Sequence, residues 1–342
     1  MYKMVAVLAF SGQGIQTGEK IATVLEESGS QVYRYAPARL APDGWKGFSI
    51  LAEVMEKLVF HMSAPVDALI FVGAVGIAVR AVAPYVDNKL RDPAVVALDE
   101  GGGFVIPLLG GHAKGANELA RMLAGALPAT PVITTATDVN DVFSVDTYAR
   151  QKHFSIVEKD EIKHLSGALL AGEPIGALTP ECGFLVAPQP VGTPFSHTLH
   201  LVPQDLVVGM GCRRGVSVDV LDAFVTETFA AQGWSRYRIR ALASVDVKRD
   251  EKGLMELAKR LNVPFLTYDA ATLLEQQGAF SSSEFVQQTV GVDNVCERSA
   301  LAAAVCEGWL PKGSRFEDFV RLKKQAKEGM TLAVLAFSMD KW

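Results

Sequence analysis

Ala68-Leu-Ile-Phe-Val-Gly-Ala-Val-Gly-Ile-Ala-Val-Arg-Ala-Val-Ala-Pro84 is the stretch that decides the fold. Ala68 to Val72 is an unbroken apolar run, the pattern of a strand covered on both faces. Gly73 and Gly76 supply a turn. A helix is expected from Ile77 to about Ala83, and Pro84 ends it because proline cannot continue the hydrogen-bond ladder. A buried strand that passes straight into a helix is the repeating unit of a parallel sheet.

The same rhythm extends in both directions. Towards the N-terminus, Val5 to Phe10 is a strand, Gly12, Gly14 and Gly18 read as a turn, and Glu19 to Glu27 reads as a helix. Towards the C-terminus, Val95–Leu98 and Phe104–Leu109 are strands joined by Gly101-Gly-Gly103, which predicts a hairpin. Pro107 places the second of them at an edge or a bulge. Gly110-Gly-His-Ala-Lys-Gly115 leads into a helix from Ala116 to Leu127, and Pro131–Thr135 is a returning strand. From Ala136 to Gln204 the pattern weakens, with helices near Tyr148–Phe154 and Ile162–Leu170 and a strand at Gly183–Ala187. It then restarts. Strands are expected at Leu206–Val208, Ile239–Ser244, Val263–Thr267 and Thr331–Phe337, with helices at Val218–Ala231, Glu251–Leu261 and Val295–Cys306. The expected fold class is α/β. Two α/β domains with largely parallel sheets, 1–135 and 205–342, flank a smaller α+β middle domain, 136–204.

Composition narrows the function. The chain has 342 residues, 49% of them hydrophobic, with 33 Lys+Arg against 38 Asp+Glu and a net charge of −5, so no basic footprint for a nucleic acid is present. Mean hydropathy is +0.20, yet the longest uncharged stretch, Cys182 to Gln204, contains Pro188, Pro190, Pro194 and Pro203 and cannot be a spanning helix. The apolar run Met4–Phe10 is short for a signal-peptide core. No membrane partner is expected, and the chain reads as cytoplasmic. Cys182, Cys212, Cys296 and Cys306 form no Cys-x-x-Cys pair and read as free thiols. His197-x-x-His200 lies in a Pro-rich context without helical spacing, so no metal site is expected.

Three stretches could carry chemistry. In Leu109-Gly-Gly-His-Ala-Lys-Gly-Ala-Asn-Glu-Leu119 a strand ends in Gly110 and Gly111, and a helix begins just past His112. Helix-start amides attract anions, and histidine is the side chain suited to proton transfer at physiological pH. Asp99 and Glu100 precede the Gly hairpin and are expected to reach the same mouth. A purely steric turn with a capping His explains the same residues. In Gly209-Met-Gly-Cys-Arg-Arg-Gly215 the third glycine comes one residue late for a dinucleotide fingerprint, so NAD is not expected. Arg213 and Arg214 suit carboxylates, which a guanidinium binds with two parallel hydrogen bonds. Ser244-Val-Asp-Val-Lys248 continues to Glu251 and gathers polar groups where a strand gives way to a helix, the ligand-binding edge of an open α/β sheet.

Taken in order, these blocks resemble the CbiG family of cobalt-precorrin-5A hydrolases of the anaerobic cobalamin (vitamin B12) pathway. The resemblance runs through Phe71–Arg80, Val96–Glu100, Gly110–Ala120, Thr137–Asp146, Gly209–Gly215, Ser244–Lys248 with Glu251 and Gly253, and Gly291–Glu297. The C-terminal part alone is similar to CobE of the aerobic pathway. One departure is Ala113-Lys114, where the family pattern carries a Gly-containing pair, so Lys114 is left out of the catalytic set.

The resemblance implies a reaction. Water opens the lactone of a ring-contracted cobalt corrinoid, and the freed alcohol then loses a two-carbon fragment as acetaldehyde, giving cobalt-precorrin-5B. The cobalt macrocycle spreads the resulting charge, so the protein needs no cofactor of its own. It needs a general base, oxyanion donors and contacts for a polycarboxylate. His112 is the expected base and Glu100, with a raised pKa, the second choice. Gly73, Gly76, Gly110, Gly111, Asn117, Gly211, Cys212, Arg213, Arg214, Ser244, Asp246 and Lys248 are the expected substrate contacts. Partners would be the corrinoid substrate and neighbouring pathway enzymes. A non-catalytic corrinoid-binding or handover protein would need the same contacts, and acetaldehyde release separates the two.

Overall fold

The computed structural model describes residues 2–61, 66–88, 92–176, 179–283, 288 and 291–337. The chain divides into two compact units, Met1–Gln151 with Ile162–Leu178, and Lys152–Glu161 with Thr179–Trp342. The stretch expected as a middle domain, 136–204, is thus shared. Its helices Ala136–Val139 and Ile162–Leu170 go with the first unit, and its strands go with the second.

The first unit is a seven-stranded sheet in the order β3-β2-β1-β4-β5-β6-β7. The strands are β1 (Met4–Ala9), β2 (Gln31–Pro37), β3 (Lys46–Phe48), β4 (Ala68–Val72), β5 (Ala94–Leu98), β6 (Phe104–Leu109) and β7 (Thr130–Pro131). Its helices are α1 (Gly12–Glu27), α2 (Leu51–Glu56), α3 (Val75–Val82), α4 (Ala116–Ala126), α5 (Ala136–Val139), α6 (Val145–Lys152) and α7 (Ile162–Leu170). Successive strand residues point to opposite faces. Val5, Val7, Ile70, Val72, Val96 and Leu98 therefore meet Ile21 and Leu25 of α1 and Leu119 and Leu123 of α4. Ala6, Leu8, Leu69, Phe71, Val95 and Ala97 meet Met55 of α2 and Ala78 and Val82 of α3. Burial on both faces explains why these strands lack a polar alternation.

All the pairings are parallel except β5 with β6. The Gly101–Gly103 hairpin is there, and the pairing slips between Val95 and Val96, next to Pro107. One expectation fails. Gly12, Gly14 and Gly18 are not a turn but the first half of α1, which Ser11 caps by accepting from the Gly14 amide at 3.0 Å. That hydroxyl supplies the start signal that the glycines hide.

The second unit holds a three-stranded sheet and a five-stranded one. The small sheet pairs β8 (Phe154–Ile156), β10 (His197–Pro203) and β9 (Cys182–Val186) in that order. The larger runs β13-β12-β11-β15-β14, with β11 (Leu206–Cys212), β12 (Ile239–Val245) and β13 (Phe265–Tyr268) parallel. β15 (Met330–Ala336) and β14 (Val320–Lys327) are antiparallel, so this sheet is more mixed than the sequence suggests. Helices α8 (Val218–Ala231) and α9 (Lys252–Leu261) cover one face through Leu221, Phe224, Leu254 and Leu257. After the short α10 (Ala270–Leu274), α11 (Cys296–Cys306) covers the other through Ala300, Leu301, Ala303 and Ala304.

Two close approaches and one carboxylate set the β11 edge of this unit. A Cβ at Gly209 would lie 1.8 Å from the Cys296 carbonyl oxygen, so the strand accepts α11 only with glycine there. A Cβ at Gly253 would lie 2.1 Å from the Val216 carbonyl oxygen. Glu251, just before α9, accepts from the Gly215 amide at 2.9 Å and from Lys248 Nζ at 3.1 Å, tying together the loops that leave β11 and β12. Burial works to raise the Glu251 pKa, but these two donors and the Arg214 charge outweigh it and hold the carboxyl below its usual range.

Two predictions follow from this clasp. Gly253→Ala forces a methyl group against the Val216 carbonyl and is expected to destabilise the second unit by about 1–3 kcal/mol, the usual cost of overpacking, read from urea unfolding. Because the folded-state pKa of Glu251 is depressed, its stabilisation is present above the unfolded carboxylate range and lost as pH falls through the folded value. The stability gap between wild type and Glu251→Gln should be constant above about pH 5 and close below about pH 4.5, as followed by chemical unfolding across that range.

Candidate active site

The best-organised polar cluster of the first unit is built around His112. Gly110-Gly-His-Ala-Lys114 winds tightly into α4. The amides of Lys114 and Ala116 donate to the Gly110 carbonyl at 3.0 and 3.1 Å, and the Asn117 amide donates to that of Gly111 at 3.1 Å. Gly115 closes the turn with φ +78°, a left-handed value that favours glycine. Arg150 of α6 donates from Nε to the His112 carbonyl at 2.9 Å and pairs with Glu118. The loop is thus fixed at both its backbone and its side chain.

The His112 side chain is only 13% exposed. Its Nε2 is bonded to Asp138 Oδ2 and lies 3.3 Å from Thr137 Oγ1. Its Nδ1 lies 3.7 Å from Asp146 Oδ1. Asp138 also accepts from Arg121 at 2.5 Å and from Asn117 Nδ2 at 2.8 Å, and the same Asn117 amide reaches Thr135 Oγ1 at 3.0 Å. Burial would raise the Asp138 pKa, but the bonds from Arg121, His112 and Asn117 prevail and keep it below its ordinary value. Lys114 is different: burial lowers its pKa against the opposing pull of Asp67 and Asp92.

Glu100 does not share this mouth. β6 runs antiparallel to β5, so Glu100 lies at the carboxyl ends of β1, β4 and β5, while His112 follows the far end of β6. The six residues of β6 set the two about 20 Å apart along the sheet. Glu100 sits instead at the β1/β4 switch point, where strand order reverses. There it is bonded by Ser11 Oγ, and its carbonyl accepts from Thr17 at 2.7 Å. Gly73 and Gly76 belong to this end, and Gly110, Gly111 and Asn117 to the His112 end.

In the second unit, the residues expected to bind substrate lie at the β11/β12 edge in different settings. Ser244 is fully buried and gives its hydroxyl to the Met210 carbonyl at 2.7 Å, so it joins two strands and presents nothing to a ligand. Gly211 and Cys212 end β11, and burial raises the Cys212 pKa. Asp246 opens a single helical turn and pairs with Arg249 at 3.8 Å. Arg213 and Arg214 are exposed and diverge. Arg213 lies against Gly329 in the β14–β15 turn. Arg214 turns to the other side and lines a groove of about 620 Å³ with Gly215, Ser217, Val247, Lys252 and Gly253. Asp250, Glu251 and Glu256 line it as well, so its charge is mixed.

His197 and His200 stand three apart on β10 and so point to opposite faces. Each has its own carboxylate, Glu161 and Glu158, both at 2.9 Å, and the two rings share no centre. Sequence reasoning missed Asp138, Asp146 and Arg121. Asp138 and Asp146 lie in the Thr137–Asp146 block that carries the family resemblance, which was their signal, and Arg121 lies just past the Gly110–Ala120 block. The Gly291–Glu297 block turns inward at Val292, Asn294, Cys296 and Glu297. The buried Glu297 carboxylate accepts from Ser281, through its amide and its hydroxyl, from Asn294 Nδ2 and from the Lys324 amide, at 2.7–2.9 Å.

Comparison with known proteins places this geometry in a lineage. Residues 57–138 match the family model described as Cobalamin synthesis G N-terminal, and residues 206–335 match Cobalamin synthesis G C-terminus. A protein of Salmonella typhimurium named cobalt-precorrin-5A hydrolase is 40% identical over 257 residues, 67% of this chain and 73% of that protein. One of the same name from Priestia megaterium is 27% identical, covering 98% of this chain and 95% of its own. A solved cobalamin biosynthesis protein G homologue from Sulfolobus solfataricus is 24% identical over 98% of this chain and 97% of its own, with a TM-score of 0.42. By the extent and level of the Salmonella match, and by family models that fall on both units, the chain belongs to the cobalamin synthesis G (CbiG) family.

Proposed function

We propose that this protein is a cobalt-precorrin-5A hydrolase, an enzyme of cobalamin biosynthesis. It opens the lactone of its cobalt-corrinoid substrate and releases the two-carbon fragment as acetaldehyde, giving cobalt-precorrin-5B. Membership of the CbiG family across both units carries this reading. No helix among the described residues is long and apolar enough to cross a membrane, which fits a water-borne polycarboxylate substrate.

The chemistry asks for a base beside an ester carbonyl. His112 meets that need, since its loop is wound against α4 and its ring is held by Asp138. Glu100 is exposed and bonded to Ser11, a weaker setting for a base. Water adds to the lactone carbonyl as His112 takes its proton, and the ring C–O bond then breaks. The freed alcohol gives up its proton, its carbon leaves as acetaldehyde, and the electrons of the broken C–C bond pass into the cobalt macrocycle, where a proton replaces the lost carbon. Arg214, which lines the groove and whose charge acts on Glu251, is the arginine assigned to a substrate carboxylate.

Purified protein given cobalt-precorrin-5A should release acetaldehyde over many turnovers, trapped and counted against enzyme. Stoichiometric binding with no acetaldehyde would leave a handover protein. His112→Ala should cut turnover by about 10²–10⁴-fold, the range for loss of a general base, and near-full activity would dismiss it. Arg214→Ala should raise KM and leave kcat within about twofold, the pattern for lost uniform binding, and an unchanged KM in steady-state assays removes it as a contact.

A further inference from the structure

This inference deepens the proposed function and rests on it, because it assigns the working atom of His112. The two ring nitrogens are not equivalent. Nε2 faces the Asp138 carboxylate within hydrogen-bond reach, whereas Nδ1 stands 3.7 Å from Asp146 Oδ1, beyond hydrogen-bond length. A carboxylate can only accept, so the nitrogen bonded to it carries the hydrogen. In a neutral imidazole the other nitrogen then keeps the lone pair.

We propose that Asp138 is a positioning residue that fixes the proton on Nε2, so that Nδ1, on the Asp146 side, is the atom that takes the proton from water. Asp138 is itself held for this task. Arg121 of α4 reaches one carboxylate oxygen at 2.5 Å, and Asn117 reaches the oxygen that faces the ring at 2.8 Å. The α4 start and the α5 start therefore converge on one side chain, and the ring cannot turn without breaking that set. Asp146 is oriented by Ser144 Oγ at 2.5 Å and by the Thr147 amide at 3.0 Å. It faces Nδ1 across the gap and stabilises the positive charge that appears there. In the step itself, the water oxygen bonds to the lactone carbonyl carbon as one proton passes to Nδ1. On collapse the ring C–O bond breaks, and the leaving alkoxide takes that proton back.

The arrangement has the logic of base-plus-orienter sites, in which replacing the orienting carboxylate by its amide leaves the geometry in place and sets the wrong tautomer. In Asp138→Asn the amide oxygen stays with Arg121 and the NH₂ group turns to the ring, which requires Asn117 to flip so that its own amide oxygen accepts from that NH₂ and from the Thr135 hydroxyl. Nε2 becomes the acceptor and the hydrogen moves to Nδ1.

The test is nitrogen NMR on protein labelled with ¹⁵N-histidine, with His112→Ala to assign one signal among the six histidines. Above neutral pH, wild type should show His112 protonated at Nε2 and bare at Nδ1, and Asp138→Asn should show the reverse. The variant should lose about 10²–10⁴-fold in kcat for acetaldehyde release, with KM changed far less. A wild-type ring protonated at Nδ1, or on both nitrogens up to pH 8, overturns the assignment. So does an Asp138→Asn variant that keeps wild-type kcat, and so does one that loses stability without a change of tautomer. The spectrum is read without substrate. If His112→Ala still opens the lactone, the base assignment under the proposed function fails instead, whatever the tautomer.

Discussion

The reversal of chain direction between β5 and β6 sets the layout of the first unit. In an all-parallel sheet, every strand ends at the same edge and delivers its loop there. The Gly101–Gly103 turn breaks that rule once. β6 returns towards the amino ends of its neighbours, and the Gly110–Gly115 loop opens on the edge opposite the β1/β4 switch point. The apolar sheet core, buried on both faces, holds the two edges apart. Polar groups therefore collect in two separate places. Ser11, Thr17 and Glu100 lie at one, and His112, Asn117, Arg121, Asp138 and Asp146 at the other.

The His112 end has the features of a preorganised site. Each polar side chain in it is fixed by a second one, and the backbone of the loop is fixed by Arg150. Asp138 is central because a single carboxylate there accepts from a guanidinium, an amide and an imidazole. Removing any donor would leave a half-buried charge less well compensated, which makes the set mutually dependent. The edge of the second unit is held differently. Glu251 spans two loops, and glycines at 209 and 253 let a helix and a loop approach to distances that no side chain permits.

Much of the fold was legible because its elements carry local signals. Val218–Ala231 has the expected bounds, and α9, α11 and β12 lie within a residue of theirs, since their apolar residues carry the pattern of the element by themselves. The elements that were missed lack such signals. Gln31–Pro37 mixes Tyr and Arg with apolar residues on a half-buried strand next to the sheet edge, and Val320–Lys327 carries four basic residues because it is an exposed outer strand. In Gly12–Glu27 the glycines outweigh the cap in any local reading. The Ser11 cap starts the helix there, and Gly18 is glycine because a Cβ would lie 2.8 Å from the Trp45 ring.

For the candidate site, the sequence by itself determined the residue types that matter. It singled out a histidine in a glycine loop at a helix start, an arginine pair in a β11 turn and the family to which both belong. Only the tertiary structure decided which of these act on one another. It separated Glu100 from His112, turned Arg213 away from Arg214, buried Ser244 and brought Asp138 and Asp146 to the two nitrogens of one ring. The physical reason is that hydrogen bonding and burial depend on distance through space. Strand direction and helix packing set that distance over separations of more than 20 residues, where no local pattern in the chain records it.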